Sequence, residues 1–303
     1  MDLTLRPARV ADHDDVAAFT RDTWPERELE DYLPRTFRAW AESDDDTKRT
    51  LVADDDGHAV GVIQGVHLTE REAWVQALRV HPDYRDRGLA RRLTDAVLSW
   101  ARERGAVVCR NLVFSWNVAS LSLARGVGFD PTTEFRWARI EADSGADPGL
   151  DVCADPEAGW TFWADSDARD HLRGLTIHPS EAWTLSELRP ADLERAAGVG
   201  GLIIVQGGGT RGLAVRNRAF EADDERWTEY AVGAWADLDA ARALVAAVAQ
   251  DAATLDADRA RLLVPETPRF VTDAAAARAD VSGDPDFVLA ADLTDPDVGD
   301  EGV

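Results

Sequence analysis

Arg85-Asp86-Arg87-Gly88-Leu89-Ala90 sets cations around a glycine where a strand-like run, Trp74 to Val80, gives way to an amphipathic helix, Leu89 to Arg104. The chemistry this suits is anion binding. The first N–H groups of a helix have no intrahelical partner and lie at the positive end of its dipole, so they can hold a diphosphate. Gly88 lets such a ligand approach the backbone closely. Arg85, Arg87, Arg91 and Arg92 would add charge-assisted hydrogen bonds.

Several elements must position this turn. Val80-His81-Pro82-Asp83-Tyr84 leads in from the strand, and the helix sets Leu89, Leu93, Ala96, Val97, Trp100 and Ala101 on one face. Downstream come a β-rich run from Val107 to Phe114, then Asn117-Val118-Ala119-Ser120, then Gly128-Phe129. Upstream, Leu3 to Arg6 reads as a strand, Ala11 to Thr23 as a helix and Glu26 to Trp40 as a polar and aromatic helical segment. Thr50 to Ala53 and Ala59 to His67 form a hairpin across the Asp-Gly signal of Asp54-Asp55-Asp56-Gly57. Phe135 to Glu141 would complete a sheet.

A Gln or Arg, two residues, Gly, one residue, then Gly or Ala resembles the coenzyme A pyrophosphate loop of the GNAT N-acetyltransferase superfamily, and Arg85 to Ala90 fits at every position. The order of strand, loop, helix, strand, Asn-helix and Gly-Phe also resembles that superfamily. The resemblance implies an α/β (α+β) fold: a mixed, mostly antiparallel twisted sheet flanked by helices. It implies acetyl-CoA as cosubstrate. Arg85, Asp86, Arg87, Gly88, Leu89, Ala90 and Arg91 would hold the pyrophosphate, and the backbone at Leu78, Arg79 and Val80 the pantetheine arm and thioester carbonyl. Asn117 and Ser120 match positions of coenzyme contact, although a loop hydrogen bond and a helix cap account for them equally well.

Two departures concern the acid and the base. Many superfamily members carry Glu on the strand before the loop where Gln76 stands, and Tyr where Ala124 stands. Glu70 and Glu72, with His67, remain as candidate bases, and Tyr84 as a substitute acid. A lysine amine of pKa about 10.4 costs roughly 4 to 5 kcal/mol to deprotonate at neutral pH, and an α-amine of pKa near 8 only about 1 to 1.5 kcal/mol. A site without a strong base therefore suits an α-amine. On the acceptor side, Trp24, Glu26 and Tyr32 could hold a cationic amine by cation-π and ionic contact, with Gln76 beside them. The competing reading is a non-catalytic acyl-CoA sensor or interaction module.

The second half of the chain starts again. Leu188-Arg189-Pro190-Ala191 echoes Leu5-Arg6-Pro7-Ala8 before a helix. Leu202 to Val205, Gly207-Gly208-Gly209 and Leu213 to Arg216 read as a hairpin, and Glu229 to Trp235, Asp239 to Asp251, Arg261 to Pro265, Phe270 to Asp280 and Phe287 to Ala291 continue in the order of the first half. No phosphate loop is legible in Trp235-Ala236-Asp237-Leu238-Asp239. The expected organisation is thus a coenzyme-binding domain over residues 1–142, a linker over 143–182, a degenerate second copy over 183–295 and a disordered acidic tail over 296–303.

Composition bounds the rest. The 303 residues carry a formal charge of −24, and the single lysine, Lys48, stands against 32 arginines. This balance resembles haloarchaeal-type acidic proteins. At molar salt the Debye length falls to about 3 Å and such a surface stops repelling itself. The melting temperature should therefore rise with potassium chloride, and a flat response from low to molar salt would remove the halophilic reading. The charge argues against nucleic-acid and anionic-membrane partners. Two cysteines, Cys109 and Cys153, and six scattered histidines leave no metal-ligand spacing. The absence of a signal-like N-terminus points to the cytoplasm, as monomer or homodimer.

Overall fold

The computed structural model describes residues 3–21, 23, 24, 27, 30–222 and 224–299. The chain divides into two units. Unit 1 comprises Met1–Val113, Asn117–Pro131 and Leu289–Val303, and unit 2 comprises Phe114–Trp116 and Thr132–Val288.

Unit 1 runs through β1 (Thr4–Pro7), α1 (His13–Thr20), α2 (Leu33–Glu42), β2 (Lys48–Asp55), β3 (His58–His67), β4 (Glu72–Val80), α3 (Leu89–Glu103), β5 (Val108–Phe114) and α4 (Val118–Gly126). Its strands lie in the order β1-β2-β3-β4-β5, antiparallel except for the parallel β4/β5 pair. The Asp-Gly turn behaves as its residues require, with Asp56 at φ 50° and Gly57 at φ 93°. Opposite faces of the sheet carry different helices. Val16, Leu33, Phe37, Val52, Val62 and Ala77 form a core under α1 and α2. On the other face α3 lies so close that a methyl at Gly65 would sit 2.6 Å from Val97 and 2.9 Å from Trp100. The stripe read from α3 is the buried one, with Leu98 added and Ala96 only half-buried. Full burial of each large apolar side chain there contributes roughly 1.5 to 3 kcal/mol.

Unit 2 runs through β6 (Asp130–Glu141, from Thr132), β7 (Asp151–Cys153), α5 (Pro156–Ala164), α6 (Asp167–Leu172), β8 (Leu175–Ile177), β9 (Leu185–Glu187), α7 (Pro190–Gly198), β10 (Leu202–Gln206), β11 (Thr210–Ala222), β12 (Glu225–Trp235), α8 (Leu238–Thr254), β13 (Arg259–Pro265), α9 (Pro268–Ala276), β14 (Asp280–Val281) and β15 (Asp286–Asp292, up to Val288). The order β6-β13-β12-β11-β10-β7 is again mostly antiparallel, with one parallel pair, β12/β13. The mixed, mostly antiparallel sheet flanked by helices is therefore the fold, and the triple glycine is a hairpin turn between β10 and β11.

Four expectations need correction. The chain does not divide at residue 142: Thr132–Glu141 joins unit 2 by pairing with β13, and Leu289–Val303 returns to unit 1. Residues 143–182 are not a featureless linker. They supply β7, paired with β10, and α5 and α6, whose Asp155 and Ser166 caps accept from backbone N–H groups. The described part of the tail is packed, since Arg102 donates to the carbonyls of Leu293 (3.0 Å) and Val298, and Ser99 to that of Gly299 (3.2 Å). The helix expected over Glu26 to Trp40 begins only at Leu33 among the described residues. No helix among them is long and apolar enough to cross a membrane.

Candidate functional site

Two features of unit 1 meet on β4. The first is a bulge. Gln76 pairs with Gln64 and Arg79 with Val62, so Ala77 and Leu78 together oppose Ile63, and Ala77 takes φ 61°. A non-glycine residue held there costs on the order of 1 kcal/mol or more. The second is a divergence, because β4 and β5 pair only at Glu72↔Val108, Ala73↔Cys109 and Trp74↔Arg110. Beyond Trp74, the β4 edge facing β5 has no strand partner among the described residues, so backbone groups on that side can pair with an extended ligand bearing amides. Leu78, Arg79 and Val80 lie on this stretch and are all partly exposed.

β4 then leads to the turn. Asp86 (φ 59°) and Gly88 (φ 74°) are both left-handed, which coils the loop so that successive N–H groups converge. Gly88 is the N-cap of α3, and among the described residues no side chain caps the helix. The first helical hydrogen bond is Arg92 N–H to Gly88 C=O, 3.1 Å, which leaves the N–H groups of Leu89, Ala90 and Arg91 ahead of it. A methyl built on Gly88 meets nothing within 4 Å, so the space in front of these donors is open. Arg85, Arg87 and Arg91 are exposed around it. Arg91 also donates to the Gly126 carbonyl (2.7 Å), and Arg92 is turned away to the Leu3 carbonyl (3.1 Å). Bulge, diverging strands and uncapped helix thus suit an elongated ligand with amides at one end and a diphosphate at the other.

Asn117 caps α4, its side chain accepting from Ser120 N–H at 3.1 Å. This satisfies the helix-capping account of both residues. Ala124 is buried and offers no proton.

The candidate acids and bases lie elsewhere. Glu72 is buried and paired with Arg110 at 2.6 Å, and Glu70 sits exposed in the preceding turn. At about 3.3 Å per residue, Glu72 is about 20 Å along the strand from Leu78, so neither glutamate reaches the bulge. His67 pairs with Ala73 near the same end, and burial holds its imidazole below the ordinary value. Tyr84 donates its hydroxyl to Asp55, and that hydrogen bond raises its pKa, the opposite of what a proton donor to a thiolate needs. Of the expected catalytic residues, Glu70 and Glu72 thus lie far along β4 from the bulge, and Tyr84 is engaged with Asp55.

The acceptor-side residues are partly rearranged. Gln76 donates to Gln64 (2.8 Å), which donates to Thr50 (3.0 Å), a chain of amides across three strands. Trp24 and Tyr32 do face a cation, but it is the protein's own: the Arg79 guanidinium lies 4.5 Å from the Trp24 ring centre and 5.9 Å from that of Tyr32. Arg79 is held by Asp31 at 2.7 Å, and Asp31 also accepts from Thr23 Oγ1 (2.8 Å) and Leu33 N–H (3.0 Å). Asp31 carried no distinguishing signal in the sequence, one acid among many in an acidic segment. Glu26 lies outside the described residues.

Residues 13–129 match the model of the acetyltransferase (GNAT) family. No curated protein matches the chain. Among solved structures, a GCN5-related N-acetyltransferase from Sphaerobacter thermophilus is similar over 96% of this chain and 96% of its own, with a TM-score of 0.60 at 14% identity. A candidate acetyltransferase from Thermoplasma acidophilum is similar over 95% of this chain and 98% of its own, with a TM-score of 0.57 at 17% identity. Residues 13–129 are thus similar to the acetyltransferase (GNAT) family, and the solved structures share the fold over nearly the whole chain.

Proposed function

We propose that the protein is an acetyl-CoA-dependent N-acetyltransferase that acts on a primary amine by direct attack in a ternary complex, with unit 2 a degenerate copy of the fold that binds no coenzyme. The observation that carries this is the open, uncapped N-terminus of α3 following a bulged strand that parts from its neighbour. The thioester supplies the acyl group and a thiolate that leaves. The loop N–H groups of Leu89, Ala90 and Arg91 hold the diphosphate, and exposed Arg85 and Arg87 add charge. The β4 edge holds the pantetheine amides, and the backbone N–H at Leu78 receives the carbonyl oxygen, stabilising the charge that develops there. The amine nitrogen forms a bond to the carbonyl carbon, the C–S bond breaks, and the ammonium proton ends on the thiol through solvent, because Gln76 and Ala124 cannot carry it. Positioning supplies the rate, and an α-amine is the preferred nucleophile.

The same residues favour the second reading, a non-catalytic acyl-CoA sensor. Calorimetric titration of acetyl-CoA at about 2 M potassium chloride tests both readings, and no binding by folded protein would remove them together. Thiol release from acetyl-CoA that depends on added amine separates enzyme from sensor.

A further inference from the structure

Arg79 reverses the charge preference that the aromatic residues of the acceptor side suggested. By the ladder register, Gln76 and Arg79 pair with Gln64 and Val62, alternate residues of β3, so both side chains lie on the face of the sheet that carries α1 and α2. On that face the guanidinium stands beside the bulge. Its Nη1 donates to the carbonyl of Leu78 at 3.0 Å, and its Nε donates to Asp31. The two N–H groups on Nη2 have no partner among the described residues, and the side chain keeps 16% of its surface exposed while Asp31 keeps none. Trp24 and Asp31 fix the plane of the group, so little conformational freedom remains to be lost when a ligand joins it.

We infer that Arg79 receives the carboxylate of the acceptor, so that the substrate is an amine bearing an acid group close to its nitrogen, an α- or β-amino acid, rather than a polyamine or a lysine-rich surface. This rests on the proposed acetyltransferase reading, in which Leu78 marks the thioester. The spacing argues for it: a guanidinium one hydrogen bond from Leu78 places carboxylate and amine within a few bonds of each other. Charged donors left on Nη2 suit a carboxylate oxygen, and a second cation brought to the same place is repelled.

The test is calorimetric titration of the coenzyme A complex with L-amino acids and β-alanine, each set against the amine that lacks its carboxylate. The acids should bind at least tenfold more tightly than their partners. In an Arg79→Gln/Asp31→Asn double variant, which strands no buried charge, the preference should vanish in protein that still shows a cooperative melting transition. Arg79→Lys, which keeps the ion pair with Asp31 but not the Nη2 donors, should retain only part of the preference. Equal binding of acids and amines, survival of the preference in the double variant, or binding by neither series would overturn the inference. Failure of wild-type protein to bind coenzyme would count against the acetyltransferase reading alone, because the amine titrations can be run without it.

Discussion

The N-termini of α3 and α8 occupy the same place in the order of elements of their units, and they end in opposite states. At α3 the N-cap is Gly88, with no side chain on the first N–H groups. At α8 it is Asp237, whose carboxylate accepts from Ala240 N–H at 3.0 Å and is held at 2.5 Å by Arg211, which keeps it below the usual carboxylate range. An anion arriving at α8 would meet an anion already there. The strands agree rather than differ. In each unit the strand that parts from its parallel neighbour is irregular: Ala77 and Leu78 together oppose Ile63 on β4, and Ala231 is left over between Tyr230 and Val232 on β12. β12 and β13 also pair over only four residues, yet Leu262 packs so closely on Gly233 that a methyl there would approach to 2.7 Å. One architecture thus has its backbone donors either left for a ligand or satisfied by its own side chains, and a few residues decide which.

That contrast can be broken experimentally. The largest effect is expected from Gly88→Glu, which places a carboxylate in the open space before α3. Acetyl-CoA affinity should fall at least a thousandfold while the melting temperature shifts only by the cost of a left-handed glutamate, about 1 kcal/mol. Binding that persists in the variant would mean the loop is not the site.

Next is the exception in unit 2, a buried acid without a salt bridge among the described residues, Asp286, whose carboxyl burial pushes up to about 7. In the unfolded chain it titrates near 3.9. Between those values the folded protein keeps a proton that the unfolded chain has lost, so stability falls as pH rises from about 4 to about 7 and stays low above. Asp286→Asn should abolish that slope and stabilise the protein at pH 8 by up to ~4 kcal/mol, with little change at pH 4. Chemical denaturation at the two pH values would show it, and equal stability of variant and wild type at pH 8 would remove the argument.

The smallest effect belongs to Asp237→Ala. Loss of the cap should cost about 1 kcal/mol in the same denaturation experiment and confer no coenzyme binding, because Leu262 still closes on Gly233 where β12 leaves β13. Acetyl-CoA binding at a second site in this variant would show that the cap alone had closed unit 2.

What could be read in the sequence was local. Arg85 to Ala90, the α3 stripe and the Asp56-Gly57 turn each announce themselves within a few residues, because helix periodicity and left-handed turns are set by neighbours along the chain. The bulge was not legible, since Ala77 adopts a conformation usually given to glycine. Nor was the Arg79–Asp31 pair, which joins positions 48 residues apart. The boundary at 142 failed for the same reason: nothing within Phe135 to Glu141 states that its ladder partner is β13 rather than a strand of the first half. In the second half, Leu202 to Val205, Glu229 to Trp235, Asp239 to Asp251 and Arg261 to Pro265 fall on β10, β12, α8 and β13, since their apolar runs are local signals too, whereas β9 and β14 were not legible.

Unit 1 uses residues from beyond Leu289, tied to α3 through Ser99 and Arg102. On the ribosome, Arg85 to Ala90 is made early, yet the unit that holds this loop lacks a part until Leu289 and the residues after it have been added. At about 5 to 20 residues per second, this delay is on the order of ten seconds or more. During that interval β5 and α3 lack the segment that packs on them, so unit 1 is completed only after unit 2 has been synthesised.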